Sequence, residues 1–173
     1  MKIDVNQVVY KILSKEDIPT LLEIQEETFA FAGGDTSFLR RNTAETFAVC
    51  FEEPSVTIGA YLAGELIAFG MLHAAGSTAE NLAKDVDEID DILQNANVKL
   101  TIVRPPYRGN GLQALLIDKL TDHAKASGFK WACSTASPDN IWSMNNLQKC
   151  GFVQVKLLQK YGGLQRALLC KKL

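Results

Sequence analysis

Val98-Lys99-Leu100-Thr101-Ile102-Val103 runs into Arg104-Pro105-Pro106-Tyr107-Arg108-Gly109-Asn110-Gly111, and then into Leu112-Gln113-Ala114-Leu115-Leu116. The first stretch reads as a strand, the second as a turn punctuated by proline and glycine, the third as the start of an amphipathic helix. A helix N-terminus presents unpaired backbone N–H groups and a partial positive charge, which together suit an anion such as phosphate. Gly109 and Gly111 let the backbone bend sharply and approach a ligand with no Cβ in the way. Arg108 adds a cation at the same place. The stretch is a candidate anion cradle. It lacks the Lys-Ser/Thr ending of a P-loop and the three-glycine fingerprint of a dinucleotide fold, so neither of those chemistries is indicated.

The segments on either side define the fold class. Downstream, Leu112, Leu115, Leu116, Leu120 and Ala124 form a helical stripe closed by Gly128. Phe129–Ser134 reads as a strand, Asp139–Lys149 as a helix closed by Gly151, and Phe152–Tyr161 and Leu164–Lys171 as strands joined at Gly162-Gly163. Upstream, Val8–Leu13 is a short strand. Ser14 then offers an N-cap, with Asp17 completing a capping box. Ile18, Leu21, Leu22, Gln25 and Phe29 follow at helical spacing until Ala32-Gly33-Gly34-Asp35 breaks the helix. A shorter helix is expected at Thr43–Phe51, before Pro54. Val56–Leu62 and Leu66–Ala74 make a hairpin around Ala63-Gly64-Glu65. Its second strand is apolar on both faces, with Ile67, Phe69 and Met71 on one and Leu66, Ala68 and Leu72 on the other, and so belongs in the middle of a covered sheet. Gly76–Asn97 is polar and is expected to hold a helix from about Asn81 to Leu93, with Val86, Ile89 and Leu93 turned inward. Helices and strands interleave, yet tight hairpins demand antiparallel pairs. The fold class is therefore α/β of the mixed-sheet, α+β kind, with helices on both faces.

Composition narrows the function classes. With 173 residues and 47% apolar side chains, residues 1–173 suffice for a single domain with a sizeable core. A net charge of −2 gives no electrostatic case for nucleic acid or an anionic membrane. No apolar run approaches the length of a membrane span, and the first residues carry no signal stretch. Cys50, Cys133, Cys150 and Cys170 lack paired Cys-x-x-Cys spacing, and the chain has two histidines, so a metal site is not expected. Four reduced thiols and a cytoplasmic location fit these features.

A second motif lies further on: Asn140, Ser143, Lys149, Gly151 and Phe152. Together with Val103, Pro105, Tyr107, Arg108, Gly109, Gly111 and Leu112, these residues resemble the GNAT superfamily of acetyltransferases. Gln113 departs from that pattern, which usually has Gly or Ala there. The resemblance implies a central mixed, mostly antiparallel sheet of about seven strands, in which the strand before the loop and the strand after its helix run parallel and splay apart around acetyl-CoA. It further implies that backbone N–H groups from Arg108, Gly109, Asn110, Gly111, Leu112 and Gln113 hold the pyrophosphate. The backbone of Thr101, Ile102 and Val103 would hold the pantetheine arm and thioester carbonyl, and Asn140, with Ser143 in the same motif, would reach that arm. Acetyl-CoA would be the cosubstrate and no metal would be needed. The acceptor would be the amine of a small molecule or peptide, and the protein a monomer or homodimer.

Acetyl transfer to an amine also needs a neutral amine, stabilisation of the oxyanion and protonation of the leaving thiolate. Many family members donate that proton from a tyrosine seven residues after the motif's Asn, but here the position is Leu147. The catalytic residues are thus unassigned, with His73 and Tyr161 as candidates. An imidazole titrates near neutral pH and suits a general base, although the preferred reading of this residue is a hydrogen-bonded strand-end His. Tyr161 has a donor hydroxyl but stands at a Gly-Gly turn. Tyr107 and Ser143 are donors by type. His123 reads as a boundary residue of its helix. For the acceptor, the acidic segment Glu80–Asp91 is either an electrostatic lure for a cation or a solvated face. Glu26, Glu27, Phe29 and Phe31 precede a loop that often lines the acceptor pocket in the family. Arg166 is either a partner for a substrate carboxylate or a cross-strand surface residue. Direct attack in a ternary complex is the expected mechanism. A sensor that binds acyl-CoA without turnover, and an interaction domain without a ligand, are the alternatives.

Overall fold

In the computed structural model, which describes residues 1–173, Ser14 ends strand β1 (Val9–Ile12) and opens the first helix. The Ser14 hydroxyl accepts from the Glu16 N–H at 3.3 Å, and the Asp17 carboxylate accepts from the Ser14 N–H at 2.8 Å. One tight turn later the chain enters α1 (Ile18–Phe31), with Pro19 in its first turn. A short helix α2 (Ala44–Ala48) and a tighter turn over Val49–Phe51 fill the Thr43–Phe51 segment. The hairpin is β2 (Val56–Leu62) and β3 (Glu65–His73), followed by β4 (Asn95–Val103), α3 (Leu112–Ala126), β5 (Trp131–Ala136), α4 (Ile141–Lys149), β6 (Val153–Lys160) and β7 (Leu164–Lys172).

All seven strands form one sheet in the order β1-β2-β3-β4-β5-β7-β6, and every neighbouring pair is antiparallel except β4 with β5. On one face α3 covers a core that includes Ile67, Ala68, Leu72, Val98 and Leu147. On the other, α1 and α2 cover Leu66, Phe69, Met71 and Ile102. β3 is buried on both faces, as its sequence requires. The assignment of Ile67 to the face of Phe69 and Met71 is corrected, however. The register with β2 slips so that Ala60 faces Ala68 while Tyr61 faces Leu66. Ile67 is the extra residue, and such a bulge turns two successive side chains to one face. A second slip, between Met71 and Leu72, makes Lys99 the extra residue of β4.

Three more expectations are corrected. The helix over Asn81–Leu93 does not form. A tight turn at Leu82–Asp85 and another at Ile92–Gln94 take its place, and β4 begins at Asn95. Asn and Asp side chains compete with the helix by bonding nearby backbone. Asn81 shows this: its amide donates to Gly76 O at 2.7 Å and Ile92 O at 2.8 Å, while its carbonyl accepts from Ala83 N–H and from the Asn95 amide. Asn97 adds bonds to Leu82 N–H and Glu80 O. Val86 and Ile89 do turn inward, but Leu93 is 59% exposed. The strand placed at Phe129–Ser134 runs over Trp131–Ala136, because Phe129 still belongs to the helix end. Its N–H bonds Ala124 O while that of Gly128, at φ +90°, bonds Lys125 O. On α3, Ile117 is buried and Leu115 is partly exposed, the reverse of the stripe read from spacing.

Candidate functional site

β4 and β5 are hydrogen-bonded only where Asn95, Ala96 and Asn97 face Trp131, Ala132 and Cys133. One further tie, the buried Ser134 hydroxyl donating to Val98 O at 2.8 Å, closes the apex. Beyond it, Leu100–Val103 keep their partners on β3, and no residue from Lys99 to Val103 has one on the β5 side. The backbone of the two strands diverges there, which leaves a V-shaped gap with a free β4 edge.

The glycine loop stands at the mouth of this gap. A single tight turn at Pro105–Tyr107 brings the chain round, with Arg104 N–H bonded to the bulged Ile67 carbonyl at 2.9 Å. Gly111, at φ +77°, is the N-cap of α3, and Gly109 has φ +78°. No backbone N–H from Gly109 to Ala114 bonds a backbone carbonyl, whereas that of Arg108 is engaged by Pro105 O at 3.3 Å. A Cβ built on Gly109 or Gly111 would meet only open space. Donors without acceptors, facing an open concavity at a helix N-terminus, fit a phosphate group. Arg108 contributes its side chain instead: Nε donates to Val103 O at 3.2 Å and the guanidinium lies 5.0 Å from the ring centre of Phe31. The Asn110 amide stitches the turn together by donating to Tyr107 O and Met1 O, both at 2.8 Å. Tyr107 donates its hydroxyl to Glu65, and Arg104 bridges Glu65 and Glu27.

Gln113 has a second role that its backbone position did not suggest. Its amide nitrogen donates to the Thr101 hydroxyl at 3.0 Å and the Ser143 hydroxyl at 3.3 Å, and its carbonyl accepts from the Asn146 amide at 2.7 Å. The side chain therefore spans from β4 to α4. Asn146 escaped sequence reasoning, and its spacing of three from Ser143 on one helix was the available signal. Asn140 caps α4 by accepting from Ser143 N–H at 3.1 Å. Leu112 and Ile102 point into the core, so only their backbone faces the gap. Leu147 is likewise buried.

On the face away from α3, His73 lies opposite Asn97 at the apex. Its Nδ1 is 3.3 Å from the Glu80 carboxylate, which also lies 3.8 Å from Lys99 Nζ. Burial, and then the Lys99 charge, push the His73 pKa below its ordinary 6.5 against the pull of Glu80. The imidazole is thus neutral at pH 7. The Glu80 carboxylate beside Nδ1 favours the tautomer with its proton there, which leaves Nε2 as the basic nitrogen. Tyr161 stands across the gap, its hydroxyl 3.1 Å from Thr135 Oγ1 and its ring under Arg40 at 5.2 Å. The structure does not bring His73 and Tyr161 together. All four cysteines are free and buried; burial pushes Cys50 up to about 11 and Cys150 up to about 12, and the Cys170 thiol 2.9 Å away together with burial raises Cys133 further still.

The α1–α2 connection forms the outer wall. Gln25 clamps Asn42 through both backbone groups, Arg41 pairs with Glu26, and the Arg166 guanidinium holds Ser37 O at 2.7 Å. Phe29 is core, whereas Phe31 is exposed beside the loop. A hollow of about 430 Å³ between Val86, Trp131, Val153 and Lys172 lies where β4 and β5 are still paired, away from this site. No group of His, Cys, Asp and Glu is arranged to hold a metal ion, and no helix is long and apolar enough to cross a membrane.

Comparison with known proteins adds to this geometry. No curated protein matches the sequence. The fold is similar to that of a GNAT-family acetyltransferase from Streptococcus pneumoniae, with a TM-score of 0.72 and 18% identity over 96% of this chain and 99% of the other. The ribosomal-protein-S18-alanine N-acetyltransferase of Escherichia coli gives 0.70 and 16% over 95% and 93%. An aminoglycoside acetyltransferase in complex with coenzyme A and kanamycin gives 0.70 and 15% over 95% and 94%. The family described as acetyltransferase (GNAT) matches residues 18–152, so the chain belongs to the GNAT family of acetyltransferases.

Proposed function

We propose that residues 1–173 act as one domain that moves an acetyl group from acetyl-CoA to the primary amine of a small molecule or peptide, by direct attack in a ternary complex. One observation carries this reading: unpaired N–H groups at the start of α3 adjoin the unpaired edge of β4 at a gap that opens beyond Ser134. Acetyl-CoA supplies the activated acyl group. The loop N–H groups from Gly109 onward would hold its pyrophosphate, the Thr101–Val103 backbone its pantetheine arm, and the free end of Asn140 the same arm. The amine nitrogen forms its bond to the acetyl carbon as the carbon–sulfur bond breaks, and one proton passes overall from nitrogen to sulfur. His73 is neutral and held by Glu80 at the apex, which suits acceptance of the amine proton through Nε2. The Tyr161 hydroxyl faces the other wall and suits donation to sulfur. Direct attack is supported by Cys50, Cys133 and Cys150, since thiols held this far above neutrality furnish little thiolate. The test is CoA release over a panel of amines. Release with at least one supports the enzyme. Binding of acetyl-CoA with no release by any amine would favour the sensor alternative, for which Leu147 at the usual tyrosine position is the supporting observation.

A further inference from the structure

Arg166 is the one arginine whose charge is buried without an acid to answer it. It lies on β7 beside Ala136–Ala167, the last pair that joins β5 to β7. Its residue is 4% exposed. The guanidinium donates through one terminal nitrogen to Gln165 O at 3.0 Å and through the other to Ser37 O at 2.7 Å. No Asp or Glu lies within ion-pair distance of it, although Arg41 has Glu26 and Arg104 has Glu27 and Glu65. Two neutral carbonyls occupy part of a donor set of five N–H groups. A cation taken out of water and given only neutral acceptors is held at a cost, and a carboxylate relieves that cost with stronger, charge-assisted bonds.

Its place in the fold says which carboxylate. Arg166 sits on the β5 side of the gap, at the strand end next to Tyr161 and Thr135, under the α1–α2 connection that walls the site. Arg40, above the Tyr161 ring, adds a second cation at the same wall. The opposite wall carries the His73–Glu80 pair. One wall therefore presents an imidazole and a carboxylate, with Lys99 beside them, and the other two guanidinium groups with no acid. We infer that the acceptor is an amine that also bears a carboxylate, such as an amino acid or the C-terminal part of a short peptide, and that Arg166 binds this carboxylate. The inference rests on the transferase reading above and specifies its substrate class.

The experiment compares matched acceptors that differ at one group: free amino acids, ω-amino acids and dipeptides, each against its own carboxamide, with CoA thiol release as readout. Loss of a charge-assisted pair is worth about 10–100-fold, so the best acid should exceed its amide by that factor in kcat/KM, mostly through KM. Arg166→Gln should bring the ratio close to one while leaving the affinity for acetyl-CoA unchanged, and Arg166→Lys should restore part of it. A clamp that merely pins the Ser37 loop would slow acids and amides by the same factor, which would overturn the inference. Equal use of acids and amides by the unaltered protein, or a ratio that survives in Arg166→Gln, would also overturn it and leave the transferase reading standing. Thiol release only with simple amines that lack a carboxylate would overturn the inference alone, and acetyl-CoA binding without release from these or any member of the panel would overturn both.

Discussion

The two halves of the site are built from different material. On the proposed coenzyme side, the groups that face the gap are mostly main chain: N–H donors from Gly109 to Ala114 and the free edge of β4. On the proposed acceptor side they are side chains brought in from separate places: His73 from β3, Glu80 from the turn after it, Tyr161 from the β6–β7 turn and Arg166 from β7. A backbone cradle depends on local conformation, and local conformation leaves a mark in nearby residues, above all glycine at positive φ. A side-chain constellation depends on which distant segments the topology brings together. The first kind of site tolerates divergence in most of its side chains; the second depends on the identity of each one.

Mutations that attack one half and spare the other sharpen this contrast. The largest effect is expected from Gly111→Val. The position requires φ near +77°, which a β-branched residue resists, and the new side chain would enter the open space before the loop. Affinity for acetyl-CoA should fall on the order of 1,000-fold by calorimetry, as several charge-assisted bonds go together, while circular dichroism still reports a folded chain. His73→Gln should act on the other half, lowering kcat by about 100-fold with the coenzyme affinity unchanged. In the unaltered protein kcat/KM should fall as pH drops through a value below 6.5, because burial and Lys99 both disfavour the imidazolium. Lys99→Ala should move that inflection upward. The same depressed pKa means that the fold loses stability as pH falls from the unfolded His value through the folded one. Asn81→Ala should cost about 2 kcal/mol in urea unfolding, since it strands the buried Ala83 N–H and Gly76 O and takes one bond each from Ile92 O and the Asn95 amide. The smallest effect is expected at Gln113. Its side chain bridges β4 and α4 across the way from the loop to the gap. Gln113→Ala should therefore tighten acetyl-CoA binding by roughly threefold, a shift well under 1 kcal/mol. A large loss of affinity would mean that the amide itself holds the coenzyme.

The same distinction explains what could be read in the sequence. Element order, the capping box at Ser14 and the helix ends at Gly128 and Gly151 were legible because each rests on contacts within a few residues. The strand–turn–helix from Val98 to Leu116 belonged to this class. The Asn81–Leu93 segment was not legible. Asn81 pairs with Asn95 and the Leu82 N–H with Asn97, both on β4, and only the folded sheet brings those together. The bulge at Ile67 was hidden for a related reason, since alternation in one strand says nothing of a slip against its neighbour. Arg166 illustrates the point most plainly. Its sequence context suited a surface residue equally well, and what buries it is Ser37, far away in the chain.

Equilibrium binding of acetyl-CoA, followed by calorimetry and thermal unfolding, tests the central claim most directly. At 100 times its dissociation constant the ligand should stabilise the fold by about 2.7 kcal/mol, with the effect lost in Gly111→Val. Absence of binding and of any thermal shift at millimolar acetyl-CoA would contradict the assignment of the loop and the gap as a coenzyme site.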